Sequence, residues 1–226
     1  HALATPSIFE EAIASGLPVQ SIRQLYGSAQ GLKAAVFNAQ SPQVQPDTPE
    51  MHIQNVEGRF EEEEEHNTVE AEAIIRLLNQ FEPNNIGRYP RIGIATFTTA
   101  QRDLILSHLD SVKRERRDLI ERFERSGLGV FRLDELYAQE FEILIFSATF
   151  GAIDREGNLS NSMNVVDLPR GIALVKSLIA STQKELFIIH SLPETSLSEF
   201  RTQKEKEGSF LMAQLFKYAE DIQSAN

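Results

Sequence analysis

Hydrophobic positions along this chain switch between two periods. From Asn67 onward, Val69, Ala73, Ile74, Leu77, Leu78 and Phe81 fall three and four residues apart. That is the spacing of a helix with one buried face, and Asn67 with Glu70 makes a cap pair at its start. After Pro83 and Pro90, Ile92 to Phe97 is nearly continuously apolar, as a strand buried on both faces would be. Thr98 or Thr99 then caps a long helix that turns Leu104, Ile105, Leu109 and Val112 inward. Val130 to Leu133, Ile143 to Thr149 and Leu186 to Ile189 read as further buried strands with helices between them. A last amphipathic helix lies around Phe210 to Ile222, within 207–223. Alternating strands and helices imply right-handed crossovers and a mainly parallel sheet covered on both faces, hence one α/β domain over 1–226. No internal repeat is visible.

The first quarter of the chain is less periodic. Ser7 and Glu10 have capping-box spacing before a short helix that ends near Gly16 and Pro18, and a second helix is expected over Ser28 to Gln40. Residues 41–66 form a Pro- and Glu-rich loop region. Pro42, Pro46 and Pro49 deny both helix and central strand, while Met51 to Val56 alternates weakly enough to be a strand. Glu61 to Glu65 reads as a solvated, self-repelling run to which no chemistry is assigned.

Composition narrows the chemistry. No apolar run reaches the roughly 18 residues that a membrane helix needs, so no membrane partner is expected. The absence of cysteine removes disulfides, thiolate metal sites and a cysteine nucleophile, and it fits a cytoplasmic protein. Five scattered histidines do not suggest a metal site. A net charge of −11 repels nucleic acid as a whole, so binding there requires a local basic strip or a partner lobe. There is no Gly-x-x-x-x-Gly-Lys-Ser/Thr loop, no Gly-x-Gly-x-x-Gly turn and no Gly-x-Ser-x-Gly elbow. The chain therefore has no P-loop of its own, and neither a catalytic residue nor a cofactor is assigned to it. Asp134, Glu135, Glu140 and Glu142 read as surface or cap groups. His1 followed by Ala2 reads as the start of an excised fragment.

Several segments, in order, resemble the C-terminal RecA-like lobe of superfamily 1 helicases, those related to the nonsense-mediated-decay and Okazaki-fragment helicases. The most specific is Ile92-Gly93-Ile94-Ala95-Thr96-Phe97-Thr98-Thr99-Ala100-Gln101-Arg102-Asp103-Leu104-Ile105. It is similar to the family's strand Ile-Gly-Val-x-Thr-Phe and the helix that follows. Ile22 to Ser28 resembles the Leu-x-x-x-Tyr-Arg-Ser segment, and Leu32 to Asn38 the helix after it. Arg132 to Ser147 resembles the segment containing Val-Gln-Gly-Asp-Glu, and Leu174 to Ile189 the Arg-Leu-Asn-Val-Ala-x-Thr-Arg-Ala helix and its strand. The resemblance implies a RecA-like fold of P-loop NTPase type and a first RecA-like lobe in the same parent chain as partner. It implies ATP and Mg as cofactors of that parent if the parent is active.

The resemblance also assigns residues, and departures accompany the matches. Thr96, Thr98 and Gln101 stand where the family sets hydroxyls and backbone N–H groups against nucleic-acid phosphates. The competing reading is a helix cap at Thr98 and a surface position at Gln101. Glu140 is kept at the nucleotide interface. Gly27 replaces the Tyr-Arg-Ser arginine, Tyr137 and Ala138 replace Gln-Gly, Lys176 replaces an asparagine, and Ser181 replaces the Thr-Arg-Ala arginine, with Lys184 and Arg170 as possible stand-ins. An arginine at a transferring phosphoryl group supplies roughly 10³ to 10⁵ in rate. The resemblance thus implies a lobe that kept its fold and lost its motor contacts, facing single-stranded nucleic acid or serving as a docking scaffold. The alternatives are the second lobe of an active DNA or RNA helicase, or a purely structural interaction module. Lys113 to Arg125 holds the densest basic patch, read as a solvated face laced by pairs such as Glu121 with Arg125 more than as a nucleic-acid grip.

Overall fold

A computed structural model describes residues 49–136 and 139–225. The helices expected over 7–16 and 28–40, the segment around Gly27, and Tyr137 with Ala138 lie outside the described residues.

The apolar runs form five strands: β1 (Glu50–Asn55), β2 (Ile92–Thr96), β3 (Gly129–Arg132), β4 (Phe141–Gly151) and β5 (Thr182–Ser191). They make one sheet in the order β1-β5-β4-β2-β3, parallel at every pairing. The helices are α1 (Thr68–Leu78), α2 (Thr99–Glu115), α3 (Arg117–Arg125), α4 (Pro169–Ala180), α5 (Glu194–Phe200) and α6 (Glu207–Ala225). This is the α/β class read from the periodicity, with the architecture expected of a RecA-like lobe. Residues 50–55 join the sheet as an edge strand, where the weak alternation of Met51 to Val56 offered one. One point differs from the pattern-based reading: the β3 to β4 connection carries a 3₁₀ turn (Leu133–Glu135) where a helix was expected.

Strand side chains alternate between two apolar layers, which explains why the runs lack polar interruptions. Ile92 and Ile94 of β2, Ile143 and Ile145 of β4 and Ile189 of β5 pack with α1, α2 and α3. Ala95, Leu144, Phe146, Leu186 and Ile188 point to the opposite layer, with α4, α5 and α6. The expected inward positions of α1 and α2 hold: Ala73, Ile74, Leu78, Ile105 and Leu109 are buried, while Leu77, Leu104 and Val112 pack from the edge. The mixed-charge stretch breaks at Arg116, and its pairing also differs from expectation. Glu121 accepts from Arg117 Nε at 2.6 Å, and Arg125 Nε turns to the backbone carbonyl of Glu121. Lys113 pairs with Glu124 at 2.7 Å, so much of this basic patch is already matched.

Two glycines let helices touch backbone directly. A Cβ on Gly171 of α4 would stand 2.1 Å from the Val165 carbonyl oxygen, and one on Gly208 of α6 would stand 1.8 Å from that of Val166. Both helices thus close onto the 3₁₀ segment Asn161–Asp167, where Asp167 also accepts from Ser209 N at 2.7 Å and Ser209 Oγ at 2.9 Å. Backbone cannot yield as a flexible side chain would. Gly208→Ala is therefore expected to lower unfolding free energy by about 1–3 kcal/mol. Urea denaturation checks it, and an unchanged midpoint would mean that α6 does not sit this close.

Candidate functional site

In open parallel sheets ligands bind outside the carboxyl ends of the strands, where neighbouring connections leave to opposite faces. Here that point lies between the paired strands β2 and β4, because α2 joins one apolar layer and α4 the other. The carboxyl ends of β2, β4 and β5 bring Thr96, Ser147, Thr149 and Ser191 together, all of them buried. α1 and α2 supply Asn67, Glu70 and Gln101, also without exposed surface.

The arrangement starts from ordinary capping. Asn67 precedes α1 in extended conformation and its side-chain oxygen accepts from Glu70 N at 3.2 Å, as the cap pair requires. Glu70 does not return to the cap backbone, as a capping-box acid would. Its carboxylate turns into the sheet. One oxygen accepts from Ser147 Oγ at 2.6 Å and Thr149 N at 2.8 Å, and the other accepts from Ser191 Oγ at 2.6 Å. Asn67 Nδ2 donates to Ser191 Oγ at 2.5 Å. Gln101 grips the Asn67 backbone from both sides, accepting from its N–H at 2.7 Å and donating to its carbonyl at 3.1 Å. It also donates to Ser147 Oγ at 3.1 Å. Thr149 reaches its position with φ of +65°, a left-handed conformation that is strained for a β-branched residue.

No basic side chain pairs with Glu70 among the described residues. Burial pushes its pKa up to about 7, and the bonds from Ser147, Ser191 and Thr149 hold it from rising further.

Thr98 is the N-cap of α2, its oxygen accepting from Gln101 N at 3.1 Å and donating to the Glu65 carbonyl at 2.7 Å. Thr96 Oγ1 donates to the Thr98 carbonyl at 3.0 Å. Gln101 spends its amide wholly inside the protein, whereas the sequence offered a surface residue or a phosphate contact. Glu65 ends the acidic run, which folds back through an antiparallel bridge between Glu61 and His66 and is tethered by Ser160 Oγ to Glu62 at 2.5 Å. All five glutamates are exposed, so the α2 N-terminus lies beside a concentrated negative charge.

The nucleotide-interface candidates stand at the opposite end of the sheet. Glu140 precedes β4, is exposed and accepts from Gln183 Nε2 at 2.7 Å. Ser181 caps the end of α4, buried, with its carbonyl accepting from Phe141 N at 2.9 Å. The possible stand-ins for its missing arginine are engaged: Lys184 pairs with Glu142 at 2.8 Å, and Arg170 pairs with Asp134. Glu142 also accepts from Arg91 N and Arg88, and these partners, Lys184 foremost, hold its pKa below the usual carboxylate value.

Sequence reasoning missed the inward role of Glu70 and the serines that receive it. The available signal was Ser147 and Thr149 inside an otherwise apolar strand, because polar groups there must find partners.

Glu70 binds its proton more tightly folded than unfolded. Its contribution to stability is complete below pH 4.5 and is lost as pH rises through about 7. The difference in unfolding free energy between the parent chain and Glu70→Gln is expected to fall by ~3 kcal/mol across that window and to level off on either side. Urea titrations at several pH values measure it, and a difference that stays constant with pH would rule the shift out. Compared with models of protein families and with curated proteins, the chain matches none.

Proposed function

We propose that this chain is the second RecA-like lobe of a larger helicase-like protein, that it has lost the motor contacts and has no ATPase of its own, and that it serves as a protein-docking scaffold. The observation that carries the reading is the buried network of Asn67, Glu70 and Gln101, which spends its polar groups on one another and on the carboxyl-side residues of β4 and β5, beside the switch point where a doubly wound sheet receives a ligand.

Charge favours docking over a nucleic-acid-facing role. The hydroxyl of Thr98 is taken by Glu65, and phosphates approaching α2 would meet Glu61 to Glu65 first. The arginines around this end are matched as well: Arg102 with Glu135 at 3.1 Å, and Arg132 with Asp134 at 2.6 Å. On the nucleotide side, Ser181 cannot supply the charge of an arginine and Lys184 is held by Glu142, while Arg170 stands at the other end of α4, held by Asp134. These positions support the reading that the parent protein has lost ATP turnover.

Two measurements test the reading. Fluorescence anisotropy with labelled single-stranded DNA and RNA at low salt is expected to show no binding by this chain. Binding that weakens with salt and is lost in Thr98→Ala would favour a nucleic-acid-facing lobe. The parent protein, carrying its first lobe, is expected to hydrolyse ATP at background rate. Nucleic-acid-stimulated turnover would mean an active helicase.

A further inference from the structure

β4 departs from regular pairing near its carboxyl end. Ser147 is in register with Ile189 and Gly151 with Ser191, so β4 carries two residues more than β5 across that stretch. The surplus is a bulge over Ala148 to Phe150, and at its centre Thr149 holds the φ of +65°. A left-handed β-branched residue is costly and persists only where surrounding contacts over-determine it. Thr149 N donates to the Glu70 carboxylate at 2.8 Å, while Thr149 Oγ1 donates to the Ser147 carbonyl at 3.3 Å and accepts from Phe97 N at 3.4 Å. The two hydroxyl contacts are long, and the bond to the carboxylate is the short one. The bulge is linked outward as well. Phe150 lies against Phe60 and Phe97, each at 5.3 Å between ring centroids, and the Ala152 carbonyl accepts from Phe60 N at 3.1 Å. Phe60 leads directly into the acidic turn Glu61 to Glu65, so that turn is coupled to the position of residues 149–152.

The hydrogen bonds around Glu70 suit its charged form. A carboxylate accepts and does not donate. Ser147 Oγ accepts from Gln101 Nε2, Ser191 Oγ accepts from Asn67 Nδ2, and each hydroxyl passes its own proton to Glu70. Donors thus already surround both oxygens. A proton on Glu70 adds one more donor and removes acceptor capacity, and the Thr149 N–H is the donor whose release also relieves backbone strain. Burial opposes the charge and pushes the Glu70 pKa up to about 7, whereas the bond from Thr149 N lowers it. A conformer that keeps this bond therefore holds its proton less tightly than one that has lost it. Rising pH favours the pinned bulge, and falling pH favours the released one.

The neighbouring charges turn elsewhere. On α1, Glu72 pairs with Arg76, and on α2, Arg102 pairs with Asp103 and Glu135. His66, just before Asn67, stands 3.6 Å from Glu61, and the glutamates of the acidic turn are exposed. β4 carries no charged residue from Ile143 to Gly151. On β5, His190 lies against Phe216 of α6, uncharged at neutral pH because burial pushes its pKa down to about 4. Beyond β5, Glu194 pairs with Arg201.

We propose that Glu70 and Thr149 form a proton-operated latch: the charged carboxylate pins the β4 bulge in its left-handed form, and protonation releases residues 149–152 together with the acidic turn bonded to them.

Amide hydrogen exchange of the ¹⁵N-labelled chain, read by NMR between about pH 6 and 8 and corrected for intrinsic exchange, tests the latch. The protection factor of Thr149 is expected to rise about tenfold across that interval, and that of Phe60 to rise with it. Ile145, in the same strand but inside the regular pairing, is expected to show no rise, which separates local release from global unfolding. Glu70→Gln is expected to abolish the rise at Thr149. Thr149→Gly keeps the carboxylate and takes a positive φ without strain, so the amide at position 149 is expected to stay protected at both ends of the range. Protection at Thr149 that is flat or falls together with Ile145, a Phe60 amide that does not follow, a rise that survives in Glu70→Gln, or an unaltered response in Thr149→Gly would overturn the proposal.

Discussion

A carboxylate buried without a cation among the described residues constrains much of this fold. Moving an isolated charge out of water costs several kcal/mol even after relaxation, so Glu70 is tolerable only where fixed donors surround it or where it takes up a proton. The protein uses both means. Ser147, Thr149 N and Ser191 converge on the two oxygens, and burial leaves the group poised between its charged and neutral forms near neutral pH. The donors tie three elements together: two come from β4, one from the end of β5, and the acid itself from the first turn of α1. Gln101 extends the restraint to α2 through the Asn67 backbone. The left-handed Thr149 is understandable in this setting, because its N–H must turn toward Glu70.

The same network lies at the carboxyl side of the sheet, beside the switch point, and its side chains have no exposed surface. What remains accessible at that end is the acidic turn beside Thr98 and a set of paired arginines around Asp134 and Glu135. Other polar groups gather beside α6, where the carboxyl ends of the edge strand β1 and its neighbour β5 meet that helix. There Arg201 pairs more closely with Glu194 than with Glu220.

Local sequence went far toward the architecture and less far toward the site. The strands β2, β4 and β5 were legible because both of their faces are covered, so the runs Ile92 to Phe97, Ile143 to Thr149 and Leu186 to Ile189 carry little polar interruption. The caps at Asn67 and Thr98 were legible because capping involves residues within three positions of each other. The Arg117 to Glu121 pair was missed in favour of Glu121 with Arg125. Both spacings are equal in sequence, and only the break at Arg116 and the resulting helix geometry decide between them. The connection from β3 to β4 was read as helical because alternation with helices is the rule for parallel sheets, and a 3₁₀ turn over one intervening strand leaves no periodic trace.

By itself, then, the sequence determined the α/β class, the buried strands, the long helices and the absence of a phosphate loop, all of which depend on periodicity or contiguous motifs. Only the tertiary structure decided that Glu70 turns inward, that Gln101 is consumed by the Asn67 backbone, and that Glu140 lies at the far end of the sheet from Thr96. Glu70 lies 77 residues from Ser147 and 121 from Ser191. Contacts over such separations depend on strand order and register, which no local pattern of hydrophobic and polar residues encodes.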